Sequence, residues 1–501
     1  MATSISKVKV SNKLDDNVKW LKEKLGVGLS FDLICREITV AGKNGALFFV
    51  DGFVKDNIML YILRTLSTIK REELAANPLT KLIKQYINYI EVDTCEDLNE
   101  AVDKILAGPV ALVLDGLSEI ILIDAREYPV RSPQEPDLER VVRGSRDGFV
   151  ETIVFNTSMI RRRIRDPKLR TILVQVGQRS KTDICIVYIE DITNPELVKQ
   201  VRDSIERIEV DGLPMAEKSV EEFISPNSIW NPYPTVRYTE RADVAAVHLL
   251  EGHVLVIVDT SPSVMILPAT FFHHLQHAEE FRQSPPIGFF QRWVRYIGIF
   301  LAIFGIPLYI LFTIRPEFLP NSLSFLGPTK VGKIPLMWQF LIGEFGINLM
   351  RMAAIHTPSS LATALGLIAA VLIGQVAIDI GLFAPETVLY FSIAAVGTFA
   401  TPSFELGMAN TITRIFLILA TGIFELAGFI IAAIIILLFL ARTKSFGVPY
   451  LWPFIPFNIA AIKSIIFRPP IPIQNTRPSA LKPLDRSRQP ATALKRLRKT
   501  K

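Results

Sequence analysis

Cysteine is scarce in this 501-residue chain, which contains Cys35, Cys95 and Cys185 and no others. Because the three are widely spaced and odd in number, neither a disulfide framework nor a cysteine metal site is expected, and we interpret them as reduced core thiols. Residues 1–290 also lack an uninterrupted apolar run of membrane length. The N-terminal residues lack the apolar core of a signal peptide, so we expect this region to stay in the cytoplasm.

Sequence signals for catalysis or for a cofactor are weak. The segment Gly327–Lys333 has the spacing of a phosphate-binding loop, but Ile334 stands where serine or threonine is required and no strand precedes it. A histidine cluster offers two potential zinc ligands four residues apart, yet a third well-placed ligand is not evident. Its members are His273, His274 and His277. We interpret the cluster as part of a connecting helix and predict no enzymatic activity, no cofactor and no metal site.

The net charge of +6 is unevenly distributed along the chain. Residues 468–501 hold ten Lys/Arg and one Asp, which is +9, so the remainder carries about −3. This basic, proline-rich composition predicts a disordered cytoplasmic tail that lies on anionic lipid headgroups. Nucleic acid is not an expected partner, since nothing else in the chain supports it. A second basic run, Arg161–Arg165, indicates either a solvated helix end or a contact with headgroups or an acidic subunit.

A short motif recurs in the N-terminal half: an apolar strand, a turn centred on aspartate, and a second apolar strand. Its copies are Ala46–Phe53, Ala111–Leu117 and Val254–Ser261. Asp-Gly between β-rich runs favours a hairpin, because glycine accepts the positive φ of a tight turn. Helical stretches such as Asp97–Leu106 and Pro195–Ile208 alternate with these copies. The pattern predicts two cytoplasmic α/β subdomains, at 28–135 and 136–285, after an N-terminal extension at 1–27.

Residues 286–467 have the composition of a membrane domain. The clearest segment, Ile415–Leu440, contains Glu425 as its single charge and exceeds the ~20 residues that cross a bilayer core. The predicted spans are 293–314, 360–380, 386–402 and 414–440. Because basic residues mark the cytoplasmic side, both termini are expected there and the number of spans is even. Six spans result if Pro335–Ile355 also crosses and the long last segment is split. The predicted fold is thus an α/β cytoplasmic region of two subdomains followed by an α-helical transmembrane domain of four to six spans.

Polar side chains recur inside these apolar segments. Glu344, Asn348 and Arg351 fall at i, i+4 and i+7 of one helix, and Gln375 and Asp379 form an i, i+4 pair. Glu425 lies in the last span, and the small-residue segment 392–401 contains Ser392 and Thr398. Polar groups at membrane depth either pair with each other or line an ion path. The segment 392–401 is compatible with a narrow pore lining or a close-packed helix, and the pattern does not decide between them.

A stripe of small residues repeats every four positions in the predicted second span. It consists of Ala362, Gly366, Ala370 and Gly374. Such a face permits close approach of two helices in lipid, either within one chain or between copies in an oligomer.

Four blocks of the sequence are similar to the A-subunit family of bacterial spore germinant receptors. They are YPVRSPQEPDLERVVRGSRDGFVETIVFNTSMIRRRIRDP (128–167), NPYPTVRYTERADVAAVHLLEGHVLVIVDTSP (231–262), VLIGQVAIDIGLFAPETV (371–388) and SFGVPYLWPFIPF (445–457). The family often has Arg-Pro-Asp where this chain has Arg241-Ala242-Asp243, and Asp-Gly-Ser-Pro where it has Asp259-Thr260-Ser261-Pro262. The last block and the basic tail resemble the stage V sporulation AF branch more than a true receptor A subunit.

The resemblance implies a multi-pass protein of the spore inner membrane that promotes germination. It further implies a subunit of an oligomeric channel that releases monovalent cations. The alternative is a non-conducting scaffold that anchors or stabilises a germination complex. Expected partners are membrane lipids, further copies of the chain, and another spore inner-membrane germination protein, either a B-type subunit or a stage V partner. The AF branch is not expected to recognise a germinant itself.

Overall fold

The computed structural model describes residues 7–126, 139, 141–142, 144–225, 230–319, 322, 327, 332–356 and 374–489. The chain divides into an α/β unit and a helical unit. The α/β unit comprises Met1–Ser225, Tyr238–Pro268 and Pro472–Lys501, and the helical unit comprises Pro226–Arg237 and Ala269–Ile471. Residues 269–285, which the sequence pattern assigned to the second α/β subdomain, therefore belong to the helical unit.

The first sheet of the α/β unit has five antiparallel strands with helices on both faces. Its elements are α1 (Leu14–Leu25), β1 (Leu33–Val40), β2 (Lys43–Val50), α2 (Asp56–Thr68), α3 (Pro78–Lys81), β3 (Val92–Cys95), α4 (Leu98–Ala107), β4 (Val110–Leu114) and β5 (Ile120–Ile123). The strand order is β1-β2-β4-β5-β3. Alternate side chains of β2 enter opposite cores, because successive residues of a strand point to opposite faces. Phe48 packs in the core with α1 and α4, and Leu47 packs in the core with α2.

The second sheet repeats the topology of the first. Its elements are α5 (Ile153–Arg163), β6 (Leu169–Val176), β7 (Thr182–Ile189), α6 (Pro195–Glu206), α7 (Ala216–Ile224), β8 (Arg237–Thr239), α8 (Ala242–Glu251), β9 (Val254–Val258) and β10 (Val264–Leu267). The order β6-β7-β9-β10-β8 matches that of the first sheet strand for strand. The predicted α/β architecture with two sheets is confirmed, whereas the exact subdomain boundaries stay a prediction.

The Asp-centred motif marks a hairpin at two of its three copies. The turns after Leu114 and after Val258 join β4 to β5 and β9 to β10, as predicted. After Val50, however, the chain leaves the sheet and enters α2, so the hairpin prediction for Ala46–Phe53 is wrong. The hairpin there precedes the motif, with Ala41 and Gly42 in the left-handed region between β1 and β2. In the copy Ala46–Phe53, the Asp-Gly pair therefore ends strand β2, but the chain does not turn back to form a second strand.

The first arginine of the basic run at the end of α5 is buried, whereas Arg162, Arg163 and Arg165 are exposed. Arg161 is fully buried and donates from Nε and Nη2 to the carboxylate of Asp32, at 2.8 and 3.0 Å. Thr171 donates its hydroxyl to the same carboxylate at 2.5 Å. Neither a solvated helix end nor a headgroup contact describes Arg161, which instead joins the start of β1 to β6.

Residues 472–489 of the basic tail pack on the α/β unit. The amide of Leu484 donates to the carbonyl of Ile192 at 2.9 Å, and Arg477 Nε donates to the carbonyl of Leu250 at 2.7 Å. Arg488 also pairs with Glu251 at 3.2 Å. The prediction of a disordered tail is wrong for these residues, because their arginines bind backbone and carboxylate groups of the α/β unit.

The helical unit begins with short helices and continues with long apolar ones. Its elements are α9 (Phe271–His274), α10 (Ala278–Arg282), α11 (Pro285–Phe300), a π turn (Leu301–Gly305), α12 (Ile306–Ile314), α13 (Leu336–His356), α14 (Ala377–Asp379), α15 (Pro385–Phe399), α16 (Phe404–Arg442), β11 (Lys444–Ser445), β12 (Val448–Pro449) and α17 (Ile459–Ile466). Within the described part of the chain, Pro285–Ile314 and Phe404–Arg442 are long and apolar enough to cross a membrane.

Helix α16 is a hairpin of two antiparallel arms, 404–424 and 426–442. Glu425 has non-helical angles of φ 51° and ψ −132°. Tyr233 donates or accepts a 2.7 Å hydrogen bond with Thr413 on the first arm, and its ring centroid lies 6.4 Å from that of Phe439 on the second arm. In a straight helix these two residues would be about 39 Å apart. The predicted span 414–440 has the expected apolar length, but it is not one continuous helix.

Contacts between the long helices give their relative directions. Glu344 of α13 meets Arg414, and Arg351 meets Met408, so α13 is antiparallel to the first arm of α16. The ring of Tyr309 stacks on Tyr390 at 4.2 Å. We call the end of the helical unit that holds Arg315 and Glu425 the distal end, and the end that holds Arg292 and Arg351 the proximal end. Helices α11–α12 and the first arm run towards the distal end, and α13, α15 and the second arm run back.

Candidate functional site

A buried ion pair at the centre of the helical unit joins α13 to the first arm of α16. Glu344 and Arg414 are 2% and 3% exposed. Arg414 donates from Nε to Glu344 Oε1 at 2.5 Å and from Nη2 to Oε2 at 2.9 Å, a bidentate arrangement. Its Nη1 donates to the carbonyl of Ala302 at 2.7 Å and to Thr398 Oγ1 at 3.1 Å. One guanidinium thus binds groups on three other helical segments, and we call these four residues the central node.

The local structure explains why these groups can meet. Ala302 lies in the π turn, which interrupts the α-helical hydrogen-bond pattern and makes a carbonyl available to a side chain. Thr398 lies one residue after Gly397, where a Cβ would overlap the carbonyl oxygen of Gly298. This close glycine contact brings α15 against α11, so the Thr398 hydroxyl lies within reach of Arg414.

A small enclosed cavity adjoins the central node on its proximal side. Its volume of about 10 Å³ is close to what one water molecule requires. The polar groups around it come from α13, α15 and the first arm of α16. They are Glu344, Asn348, Arg351, Thr398, Thr411 and Arg414. Among these described residues the space admits no more than about one water molecule.

Arg351 does not pair with the glutamate seven residues before it. Its Nη1 contacts Met408 Sδ at 2.6 Å, and its guanidinium lies over the rings of Phe399 and Phe404 at 5.0 and 6.0 Å. Asn348 donates from Nδ2 to the carbonyl of Glu344 at 2.8 Å. Among the described residues, buried Asn348 Oδ1 and Arg351 Nε have no hydrogen-bond partner. With one glutamate and two arginines, the site carries a formal charge of +1, which disfavours a cation.

The remaining predicted path residues lie away from the central node. Gln375 donates from Nε2 to Asp379 Oδ1 at 3.1 Å, and both side chains are exposed. Ser392 is exposed and donates to the carbonyl of Val388 at 2.8 Å. Glu425 pairs with Arg315 at 2.7 Å at the distal end. The structure therefore brings together Glu344, Asn348, Arg351 and Thr398, and separates them from the other four.

The small-residue stripe is described only at its last member. Ala362, Gly366 and Ala370 lie outside the described residues. At Gly374 the nearest side-chain atom to an added Cβ would be 3.9 Å away, an ordinary contact. Close glycine packing occurs instead between Gly298 and Gly397. In the segment 392–401, one face of α15 is close-packed through Ala394 and Gly397, and the other face is exposed.

Arg414 was not among the predicted site residues, although it was one of two arginines considered as a partner for an acid in the membrane. It lies at the start of a long apolar run and reads there as an interfacial anchor. The available signal was charge balance: Glu344 needs a basic partner at membrane depth, and Arg414 is one of few basic residues in the apolar region. Thr411, three residues earlier on the same face, was missed because a lone threonine in a helix gives no signal.

The described residues contain no group of three or more His, Cys, Asp or Glu side chains placed to hold a metal ion. The histidine cluster instead caps short helices. His273 Nδ1 accepts from the amide of Thr270 at 3.4 Å, and His277 Nδ1 accepts from the amide of Glu279 at 3.2 Å. Burial and then the nearby Arg237 lower the pKa of His274 to about 3, so it is neutral at physiological pH.

Comparison with known proteins assigns the chain to a family. A family model described as Bacillus/Clostridium GerA spore germination protein matches residues 19–480. Stage V sporulation protein AF of Bacillus subtilis (strain 168) is 46% identical over 487 residues, which cover 97% of this chain and 99% of that protein. The chain belongs to the GerA spore germination protein family. The family resemblance seen in the sequence is thereby confirmed.

Other members of this family are less similar. Spore germination protein KA of Bacillus subtilis (strain 168) is 28% identical and covers 96% of this chain and 89% of its own length. Spore germination protein GerLA of Bacillus cereus is 29% identical and covers 96% and 98%. The crystal structure of the N-terminal domain of the A subunit of the Bacillus megaterium spore germinant receptor GerK3 matches with a TM-score of 0.42 and 26% identity, over 53% of this chain and 98% of that chain.

Proposed function

We propose that this chain is a multi-pass protein of the spore inner membrane that promotes germination as one subunit of an oligomeric channel for monovalent cations. The family and the names of its members support a role in germination or sporulation. The observation that carries the membrane part is the hairpin in α16. Its arms of 21 and 17 residues are about 31 and 26 Å long, close to the thickness of a bilayer core, whereas a straight 39-residue helix would be about 58 Å long.

The directions of the helices support six crossings with both termini on one side. The chain enters α11 at the proximal end and returns to that end at the end of α13. It is next described near Gly381 at the distal end, where the Gly381 carbonyl accepts a hydrogen bond from the amide of Lys333, just before α13, at 2.9 Å. A crossing between α13 and α14 is consistent with the predicted span 360–380, most of which lies outside the described residues. Helix α15 and the two arms of α16 supply the other three. We place the proximal end at the cytoplasmic side.

The cation route lies between copies of the chain and not inside one copy. Two features of the cavity beside the central node support this placement: it admits about one water molecule, and its lining, with Glu344, Arg351 and Arg414, carries a formal charge of +1. We therefore assign Glu344, Asn348, Arg351 and Thr398 to holding the helices together.

The exposed face of α15 is the best candidate for the wall of the route. Leu389, Val396 and Phe399 are 58%, 68% and 66% exposed along this face, and Ser392 is the polar group among them. Asp379 just before α15 adds an exposed carboxylate, which would attract cations to the distal mouth. Glu425 belongs to the same distal end, although Arg315 offsets its charge.

Cysteine labelling tests the crossing pattern. In a background without the three native cysteines, Leu426→Cys at the hairpin tip should react with an impermeant thiol reagent added outside protoplasts. Lys444→Cys, after the second arm, should react only once the membrane is opened. A tip cysteine that is protected from both sides would mean that α16 crosses as a single span, and would overturn the six-crossing arrangement.

Cation release during germination tests the route. At matched protein level, Asp379→Asn should slow monovalent-cation release several-fold, because it removes the exposed carboxylate at the distal mouth. Glu196→Gln, an exposed acid at the start of α6, is the matched control and should leave release unchanged. Equal release by both variants would remove Asp379 from the route. Germination promoted without any cation release would favour the alternative, a non-conducting scaffold.

A further inference from the structure

Two arginines bind one glutamate at the proximal end of the helical unit, and a third arginine lies on the same phenylalanine ring beside them. Arg292 Nε donates to Glu280 Oε2 at 2.7 Å, and Arg295 Nη1 contacts Glu280 Oε1. Arg292 also donates from Nη1 to the carbonyls of Ser464 and Ile465, at 3.0 and 2.8 Å. The guanidinium carbons of Arg468 and Arg292 both lie over the ring of Phe281, 5.8 Å and 5.6 Å from its centroid, respectively. We call Glu280, Arg292, Arg295 and Arg468 the basic cluster.

The basic cluster has positive charge in excess. Its formal charge is three minus one, or +2, and Glu280, Arg292 and Arg468 are 0%, 1% and 7% exposed. Buried charge is costly unless it is balanced by opposite charge. Arg468 Nη1 and Nη2 are used by the carbonyls of Gln283 and Phe281, yet its buried Nε has no partner in the described chain. The hydrogen bonds of Arg295 all use Nη1, and its side chain is 14% exposed.

The surface around the basic cluster is apolar and aromatic. On α11, Phe290 and Trp293 are 67% and 40% exposed, and Phe467, which stacks on Phe289 at 5.6 Å, is 56% exposed. Helix α17 presents Ile459 outwards and Lys463 beside it. Exposed aromatic residues at the start of a membrane-length helix are typical of the level of the lipid headgroups. A phospholipid matches both features, because its acyl chains suit the apolar surface and its phosphate suits the +2 charge of the basic cluster.

We propose that the basic cluster binds the phosphate of an anionic phospholipid, with Arg295 as the donor, the charge excess of the cluster attracting the phosphate, and the aromatic surface against the acyl chains. The inference rests on the membrane placement proposed above. The arginines donate charge-assisted hydrogen bonds that phosphate oxygens accept in forked geometry. A bound lipid would then tie α10, α11 and the chain after α17 together at the cytoplasmic face.

Thermal unfolding of the full chain in lipid nanodiscs tests the site. The wild type should unfold about 3–6 °C higher in phosphatidylglycerol than in phosphatidylcholine. Arg295→Gln should lose most of this difference, because it removes the exposed donor. Lys463→Gln, which removes a charge from the same surface outside the cluster, should keep it. Native mass spectrometry should find phosphatidylglycerol retained by the wild type and by Lys463→Gln, and lost from Arg295→Gln.

Several outcomes would overturn the inference. One is an equal melting temperature of the wild type in the two lipids, and another is an equal loss in both variants, which would indicate only general surface charge. If millimolar inorganic phosphate in phosphatidylcholine reproduces the shift, the site binds phosphate and not a lipid. Arg295→Lys covers the possibility that Arg295→Gln fails to fold, and it should keep part of the difference. A chain that enters neither nanodisc would instead contradict the proposed membrane placement.

Discussion

Breaking the ion pair of the central node should destabilise the helical unit more than any comparable change at its surface. Arg414→Met removes four hydrogen bonds and leaves the Glu344 carboxylate, which is 2% exposed, without its partner. Removing one member of a buried pair costs about 3–5 kcal/mol. Glu344→Gln should cost somewhat less, because the amide oxygen can still accept one hydrogen bond from Arg414.

The double variant separates pairing from other effects. Glu344→Met together with Arg414→Met removes both charges, so it should be more stable than the sum of the single variants predicts, by about 1–3 kcal/mol. Arg442→Gln, at the exposed end of the same helix, is the control and should change stability by less than about 0.5 kcal/mol.

Chemical unfolding of the purified chain in nanodiscs, followed by tryptophan fluorescence, measures these differences. If Arg414→Met is as stable as Arg442→Gln, the pair does not hold the helices together, and its residues return to being candidates for the ion route. Strictly additive single variants would show that Glu344 and Arg414 do not depend on each other.

Three further predictions concern residues outside the long helices. Thr260 has a φ of +71°, which glycine adopts without strain, so Thr260→Gly should raise the free energy of unfolding by about 1 kcal/mol in a denaturant titration, and a decrease would contradict this. Asp32→Asn should cost about 3 kcal/mol, because buried Arg161 then lacks a counter-charge; a loss below about 0.5 kcal/mol in the same titration would show that the pair is not structural. The pKa of His274 is about 3 in the folded chain and near 6.5 unfolded, so the unfolded state binds more protons between these values. Stability should fall by about 1.4 kcal/mol per pH unit below pH 6.5, and His274→Gln should reduce this slope in melting curves taken against pH.

Features set by local sequence could be predicted. The alternation of apolar strands and amphipathic helices gave the two sheets, since the period of two or 3.6 residues is a property of each segment alone. The apolar length of 404–442 was equally evident. Its split was an open alternative for which the pattern gave no position, because Glu425 is neither glycine nor proline and no turn motif surrounds it. In retrospect two signals were present: a length well beyond one crossing, and a carboxylate in its middle that finds Arg315 at the distal end.

Ion pairing within the helical unit depended on tertiary structure. Glu344 and Arg351 share one helix face in the sequence pattern, but seven residues separate them by about 10.5 Å along the helix, and they do not pair in the structure. The partner that the structure shows, Arg414, is 70 residues away and becomes available only when α13 and the first arm of α16 pack antiparallel. Of the four predicted residues that gather there, Glu344 and Thr398 bind the Arg414 guanidinium, and Asn348 and Arg351 line the cavity beside it.

Cation flux through the purified chain tests the central claim most directly. The full-length wild type, reconstituted alone into liposomes loaded with a potassium-sensitive dye, should pass potassium at a rate well above protein-free vesicles. Asp379→Asn at equal incorporation should pass it several-fold more slowly, and Glu196→Gln should match the wild type. Flux at the protein-free level from a correctly folded and incorporated wild type would contradict the channel assignment and leave the scaffold as the function of this chain.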